Sequence, residues 1–190
     1  MFYIFLLILC LIAIGIGYLL SNKLLLSFLF SSSLFLLFLI SSLRYNIGTD
    51  YINYVKLYYD LNHVSFENAN IELGFYLIVK LCHFLNTDVQ LMFSLMAGIA
   101  ICIFFSRHEM RTFWGMFAFI CIIYLPSYSL IRQITAVAFI STATFYLIDG
   151  KIRKSYFLTI IGSFFHLSVL LFLPIILIRK LKVNLLLGIV

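Results

Sequence analysis

The sequence predicts an all-α protein that lies in a membrane as a polytopic bundle of helices. Hydrophobic residues make up 64% of its 190 residues and charged residues only 11%, against roughly 45–50% and about 25% in an ordinary soluble domain. The mean hydropathy of +1.14 leaves too few polar groups to cover the surface in water. The composition excludes a soluble enzyme, a disordered linker and a secreted disulfide scaffold. Two prolines among long apolar runs favour helices over a transmembrane barrel, whose strands alternate.

Charge and cysteine content point to topology rather than to chemistry. The net charge of +6 comes from basic residues scattered between apolar runs, as in the cytoplasmic loops of membrane proteins. Nucleic acid is therefore not an expected partner. The four cysteines form no close pair and are expected to pack as small hydrophobes; they are Cys10, Cys82, Cys102 and Cys121.

Six apolar segments approach the length of about 20 residues that a helix needs to cross a bilayer. They are Phe2–Leu20, Leu24–Leu43, Val89–Phe105, Thr112–Leu125, Gln133–Ile148 and Tyr156–Ile178. The first lacks the basic start of a signal peptide, so we expect a retained helix. A further apolar run begins near Val183 and is too short to span. We therefore expect residues 1–190 to form one transmembrane domain, the N-terminal part of a longer protein.

The segment Arg44–Asp88 departs from this pattern, because it holds five of the seven acidic residues. We expect a large external loop with two short helices on the membrane surface. The first helix follows a turn at Gly48, has Thr49 or Asp50 as its N-cap, and places three tyrosines on one face: Tyr51, Tyr54 and Tyr58. The second carries a polar stripe that needs water or a polar ligand, formed by Glu72, Tyr76, Lys80 and His83.

The basic clusters decide whether Leu73–Leu85 is a further span. Suppose that the N-terminus lies outside. If Leu73–Leu85 does not cross, Arg107–Arg111 and Asp149–Lys154 then both lie on the cytoplasmic side, as the positive-inside rule requires. If it crosses, both clusters lie outside, so we prefer the first arrangement. Its cost is that three basic residues fall outside, where snorkelling or a kinked last helix would have to account for them: Arg179, Lys180 and Lys182.

The first cluster with possible chemistry starts at Arg44, where the chain leaves the bilayer. An arginine presents a planar fork of donors suited to phosphate. Asp50 can cap a helix or accept a hydroxyl proton, and the rings of Tyr51 and Tyr54 offer flat faces to sugars. Each residue also has a structural explanation, as a snorkelled arginine, an N-cap and an interfacial aromatic belt. Their occurrence together on one side of the membrane favours function.

Three further positions interrupt apolar surroundings. Arg132, followed by Gln133, is the only charge between Arg111 and Asp149, and an ionisable residue at a span boundary is either a functional group or an anchor. His166 is expected in the middle of the last full span, where it must face the bundle as a packing partner or a site residue. Glu72 stands where the chain becomes apolar again, and a helix N-terminus would favour its charge.

Taken in order, these residues resemble the EpsG family, multi-pass proteins of bacterial exopolysaccharide and capsule clusters that are similar to Wzy-type O-antigen polymerases. The resemblance covers most of the chain from Arg44 to Pro174. The strings that carry it are Arg44…Gly48-Thr49-Asp50-Tyr51…Tyr54, Glu72-Leu73-Gly74-Phe75, Ile131-Arg132-Gln133…Ala136 and Phe165-His166-Leu167-Ser168.

The resemblance implies a metal-independent membrane glycosyltransferase, without a cofactor, that joins repeat units carried on undecaprenyl pyrophosphate at the outer face of the cytoplasmic membrane. Arg44 and Arg132 would bind the pyrophosphate, and Asp50 or His166 would deprotonate the acceptor hydroxyl. The sugar path would be lined by Tyr51, Tyr54, Glu72 and Gln133. The implied partners are the lipid-linked oligosaccharide, the bilayer, and chain-length regulator and flippase proteins. The external loop also looks like that of GT-C-type enzymes, which is an analogy of fold alone.

Other functional classes remain open at the level of sequence. A transporter or flippase for the same lipid-linked sugar would need polar residues at mid-membrane depth in several helices, and only His166 is convincing there. A membrane acyltransferase would use His166 as a base and would leave polysaccharide length unchanged. A non-catalytic partner of the assembly machinery would be sensitive to loss of the protein but not to single substitutions.

Overall fold

A computed structural model describes residues 2–20 and 22–180, which contain helices and no strand. The α-helices are α1 (Phe2–Leu19), α2 (Lys23–Ser42), α3 (Tyr51–Asp60), α4 (Phe66–Ala69), α5 (Leu73–Phe84), α6 (Val89–Phe104), α7 (Phe113–Ala118), α8 (Ile131–Ile148), α9 (Ile152–Ser163) and α10 (Leu173–Lys180). Within these residues, α2 and α8 are long and apolar enough to cross a membrane. The other apolar stretches are shorter: Leu7–Leu19, Leu73–Phe84, Val89–Phe104, Phe113–Tyr128 and Leu167–Ile178.

Five of these helices form the centre of the molecule, where α2 packs against α1 and α6, and α8 packs against α6 and α9. Buried apolar side chains form two clusters, one around α2, α6 and the Phe113–Tyr128 stretch and one around α3, α5 and α8. The predicted all-helical class is confirmed for the described part of the chain.

The bundle has two chemically different ends. At the loop end, which comprises residues 44–90 and 126–133, the Gln90 amide donates to the Arg44 carbonyl (3.0 Å), so the end of α2 meets the start of α6. At the basic end, which comprises residues 22–23, 105–112 and 148–154, Arg107 Nη2 donates to Asp149 Oδ2 (2.7 Å). The ends of α6 and α8 therefore lie together, opposite the loop end.

The polar segment leaves and rejoins the bundle at the loop end, so α5 does not carry the chain to the basic end. The preferred arrangement, in which Leu73–Leu85 does not cross the membrane, stays a prediction about topology. Helix α3 starts after Asp50, as predicted, and its three tyrosines are buried on one face. A single helical turn, α4, lies between α3 and α5 and was not predicted.

The prediction of one continuous span over Tyr156–Ile178 is wrong. Helix α9 ends at Ser163, His166 is extended (φ −161°, ψ 126°), and a 3-10 helix at Leu167–Phe172 precedes α10. Val169 packs beside Gly162, and Ile176 lines the same groove as Ile152 and Ile160.

The chain therefore turns back at residues 164–166 and forms a helical hairpin. Pro174 stands in the first turn of α10, a position in which proline is favoured because its missing N–H has no partner there. Helix α10 runs back along α9 toward the basic end. The expected position of Arg179 and Lys180 outside was based on one continuous span and stays a prediction about membrane sides, and Lys182 lies outside the described residues.

Two other predicted spans need smaller corrections. The segment Thr112–Leu125 begins as α7 but is wound as a π-helix over Phe119–Tyr124, and a 3-10 turn at Pro126–Tyr128 follows. Helix α8 starts at Ile131 rather than at Gln133. Arg132 therefore lies in its first turn.

Candidate functional site

Two close backbone approaches bring the motifs of the sequence together. Gly48 has φ +98°, and a Cβ there would collide with the Tyr128 carbonyl. Gly74 donates its N–H to the Phe164 carbonyl (2.7 Å), and a Cβ there would lie 2.7 Å from that oxygen. Glycine is required at both positions because only a residue without a side chain lets the two backbones approach so closely.

The second approach assembles a cluster of three charged or titratable side chains, which we call the Glu72 triad. Glu72 stands at the N-cap of α5, Arg132 in the first turn of α8 and His166 at the tip of the hairpin. Glu72 Oε2 accepts a hydrogen bond from Arg132 Nη1, and His166 Nδ1 lies 2.8 Å from Glu72 Oε1. One carboxylate thus joins residues 60 and 94 positions away in the chain.

Electrostatics keep this carboxylate ionised. Burial raises the pKa of Glu72, but the His166 hydrogen bond and the Arg132 charge outweigh it, and the pKa lies below its ordinary value. A carboxylate only accepts hydrogen bonds, so His166 Nδ1 carries the proton. Nε2 is then the nitrogen that can accept a proton from another molecule, as in other carboxylate–histidine pairs.

Two members of the triad, Glu72 and Arg132, line an open groove of about 610 Å³, as do Phe164 and Leu167, close to His166 in the chain. Glu72 is nearly enclosed, with 13% of its side chain exposed, whereas Arg132 and His166 are 31% and 33% exposed. The two outer groups can therefore be reached by a ligand while Glu72 holds them from behind. Beside Glu72 and Arg132, the groove is lined by the polar residues Glu67, Asn70 and Ser163 and the apolar residues Phe66, Ile71, Leu73, Phe164 and Leu167.

Arg44 has a different environment from the one expected. It is 1% exposed, its Nη1 donates to the Ser127 carbonyl (3.1 Å), and its guanidinium lies 4.0 Å from the centre of the Phe93 ring. Burial lowers the pKa of Arg44 to about 10, which still leaves it charged at neutral pH. Nε and Nη2 are buried without a hydrogen-bond partner in the described part of the chain.

Through these contacts Arg44 stabilises the turn that precedes α8. In the same region the Thr49 N–H donates to Ser129 Oγ (3.1 Å). The predicted contact between Arg44 and pyrophosphate would require this turn to move, because the structure leaves no open path to the guanidinium. Of the two predicted arginines, only Arg132 borders the groove.

Tyr51 and Tyr54 pack their rings on other aromatic residues. Tyr51 stacks on Phe93 with the ring centres 5.3 Å apart, and Tyr54 lies 5.9 Å from Phe75. Phe75 in turn lies 5.8 Å from the Arg132 guanidinium. The two tyrosines therefore support the surroundings of both arginines, and their proposed contact with sugar stays a prediction.

Asp50 and Gln133 lie apart from the triad. The Asp50 carboxylate accepts a hydrogen bond from Asn53 Nδ2 (3.3 Å) and makes no side-chain bond that caps α3. Gln133 is exposed on the first turn of α8. Within the described residues, neither side chain has a hydrogen bond to a member of the triad. Their predicted roles stay predictions.

The polar stripe of α5 finds partners within the protein. Tyr76 donates to the Val64 carbonyl (3.1 Å), Lys80 donates to the Asn62 carbonyl (2.9 Å), and His83 Nε2 lies 2.8 Å from the Tyr58 carbonyl. Each of these three residues thus has a partner within the protein, and the expectation that the stripe also needs water or a polar ligand stays a prediction. Of the four residues of the stripe, Glu72 alone belongs to the triad.

Sequence reasoning missed the residues that support the site. Phe75 and Phe93 are fully buried. The Arg132 guanidinium lies over the ring of Phe75, and the Arg44 guanidinium lies over the ring of Phe93. Among so many phenylalanines no local pattern distinguishes these two, since the contacts join residues far apart in the chain.

Comparison with known proteins identifies the family of this chain. The model of the EpsG family matches residues 27–190, nearly the whole chain and all four motifs. The chain belongs to the EpsG family. EpsG-family membership supports a role in exopolysaccharide biosynthesis and an association with the membrane, in agreement with the two long apolar helices. No curated protein and no solved structure matches this EpsG-family chain.

Proposed function

We propose that this protein polymerises oligosaccharide repeat units carried on undecaprenyl pyrophosphate, at the outer face of the cytoplasmic membrane. The observation that carries the proposal is the Glu72 triad. It combines Arg132, a cation that lines the groove and is suited to a phosphate leaving group, with His166, which contacts the groove-lining Glu72 and has Nε2 left to accept a proton. Glycosyl transfer from a lipid pyrophosphate requires both functions.

In the proposed reaction the acceptor hydroxyl attacks the anomeric carbon of the donor sugar. The new bond joins the acceptor oxygen to that carbon, and the bond between the carbon and the pyrophosphate oxygen breaks. His166 Nε2 takes the hydroxyl proton, and Arg132 compensates the negative charge that develops on the departing pyrophosphate. Glu72 is a positioning residue, because it fixes the imidazole through Nδ1 and holds the guanidinium.

The two remaining candidates for these roles are less favoured. Asp50 contacts Asn53 rather than the triad, which favours His166 as the base. Arg44 is enclosed by protein, which favours a role in positioning the start of α8, and with it Arg132.

The proposed topology is multi-pass, with the loop end outside. At the basic end, the described residues include six basic side chains against two acids, and the positive-inside rule favours a cytoplasmic position for such an end. The six are Lys23, Arg107, Arg111, Lys151, Arg153 and Lys154, and the acids are Glu109 and Asp149. The groove would then face the compartment in which the polymer is assembled. Chain-length regulator and flippase proteins are the proposed partners, and GT-C likeness stays an analogy.

The test is polysaccharide chain length in a deletion strain that carries variants at matched membrane abundance. We expect Arg132→Ala and His166→Asn to stop at single repeat units, since loss of a general base or of a charge-stabilising donor costs about 10²-fold or more in rate. Matched controls are Arg153→Ala and His63→Asn, which change exposed residues and should leave long chains.

Two outcomes would contradict the proposal. Long chains in both site variants, combined with their loss in the deletion strain, would favour a non-catalytic partner. Repeat units trapped on the cytoplasmic side of the membrane would favour a transporter.

A further inference from the structure

A second open groove, of about 540 Å³, lies between α2 and α6, away from the Glu72 triad. Its apolar walls include Phe30, Leu34 and Phe105, and its polar end is formed by Lys23 and Arg111. From Lys23 to Leu34 the groove follows α2 for eleven residues, or about 16 Å. It thus combines a short apolar channel with a pair of cations at one end.

The two cations have no acidic partner in the described part of the chain. Arg111 uses Nε to donate to the Phe105 carbonyl (2.9 Å), and no acidic residue lines the groove. The acids of the basic end are engaged elsewhere, because Glu109 and Asp149 both bind Arg107. Lys23 and Arg111 therefore present uncompensated positive charge beside an apolar surface.

We propose that this groove binds an anionic phospholipid from the leaflet that contacts the basic end. Lys23 and Arg111 would hold the phosphate of the headgroup, and one acyl chain would lie along Phe30 and Leu34. The apolar wall distinguishes a lipid from a free anion, which would gain nothing from it. The net negative charge of the headgroup distinguishes the ligand from a zwitterionic lipid, whose ammonium would face the same two cations. The proposal does not depend on the reaction at the triad.

The test uses the full chain in nanodiscs, with native mass spectrometry to count retained lipids and a titration to measure affinity. The probes are phosphatidylglycerol, phosphatidylcholine and undecaprenyl phosphate. We expect preferential retention of phosphatidylglycerol. The double variant Lys23→Gln/Arg111→Gln should bind it about thirtyfold more weakly, as expected from the loss of two basic contacts to an anionic lipid.

Two further variants separate the site from general charge and from misfolding. Arg153→Gln/Lys154→Gln removes equal charge from the same end and should bind phosphatidylglycerol as the wild type does. Ser31→Trp leaves both cations in place but fills the groove from an exposed position, and it should also lose the lipid. The proposal is overturned if the control variant loses as much phosphatidylglycerol binding as the groove variants, or if both groove variants bind this lipid as the wild type does. Preferential retention of undecaprenyl phosphate would also overturn it.

Discussion

At the scale of single residues, Glu72 connects the two chemical functions of the site. Its carboxylate binds Arg132 and His166 at once. Without it, the Arg132 guanidinium would lose its ionic partner and the His166 imidazole would no longer be held in one orientation. Glu72 itself is nearly enclosed. The sequence predicted it as a sugar-binding residue, whereas its contacts favour a role through its two partners.

This role leads to a prediction about coupled variants. We expect Glu72→Gln to lower the rate of polymer formation about 10–100-fold, as is typical when a residue that orients a functional group is lost. In a His166→Asn background the same change should cost little more, because residues that act as a unit are not additive. The measurement is the initial rate of polymerisation in membrane vesicles. If the two substitutions instead lower the rate by independent factors that multiply in the double variant, Glu72 acts on the substrate without His166.

At the scale of secondary-structure elements, the start of α5 depends on the absence of a side chain at Gly74. We predict that Gly74→Ala costs about 1–3 kcal/mol of stability, the usual cost of inserting a carbon into a packed site. It would also separate Glu72 from His166, because the added Cβ meets the Phe164 carbonyl. Thermal unfolding in detergent and polymer length would measure the two effects.

Gly98→Ala is the matched control for this change. A Cβ there would lie 3.5 Å from the Phe38 ring, in ordinary contact, so we expect little loss of stability and normal polymer length. If both alanine variants behave alike, the close approach at Gly74 does not determine the site.

The hairpin formed by α9 and α10 gives a prediction about membrane sides. In a cysteine-free background, cysteines at Lys154 and Ile178 should be labelled from the same side, because α10 returns along α9. A cysteine at Ser65, in the segment at the loop end, should be labelled from the other side. Labelling of Ile178 together with Ser65 would show that the chain crosses between residues 154 and 178.

At the scale of the whole molecule, ion pairs around Arg107 hold the basic end of the bundle together. Its guanidinium binds both Glu109 and Asp149, joining the ends of α6 and α8. Arg107 lowers the pKa of Asp149, and backbone hydrogen bonding together with Arg107 lowers that of Glu109. Both carboxyl groups therefore favour the folded state when ionised.

The sign of the pH dependence follows from these lowered pKa values. The stabilisation is complete above the ordinary carboxyl range, near pH 4, and is lost as the pH falls through the lowered values. We predict that Arg107→Gln lowers the unfolding temperature at pH 7 and that the gap to wild type narrows toward pH 3. Lys154→Gln, an exposed change at the same end, should show no such gap. If the difference in unfolding temperature between wild type and Arg107→Gln does not change with pH, the effect of Arg107 comes from packing rather than from its ion pairs.

Much of the helical pattern was predictable because it depends on local periodicity and capping. The burial of Tyr51, Tyr54 and Tyr58 follows from their spacing on α3, and the return of Arg44–Asp88 to one end follows from the placement of basic residues. The hairpin was not predictable in this way, since the residues around His166 are as apolar as a continuous span. Its turn depends on how α9 packs against α8 and α10.

By itself, the sequence determined that the protein is helical and suited to a membrane, and it identified the four motifs as the polar interruptions of an apolar chain. These are properties of composition and of residues within a few helical turns. The tertiary structure decided that Glu72, Arg132 and His166 meet while Arg44 is enclosed, and that the last helices turn back. The physical reason is that these outcomes depend on contacts between residues tens of positions apart, whose pairing is set by the packing of whole helices.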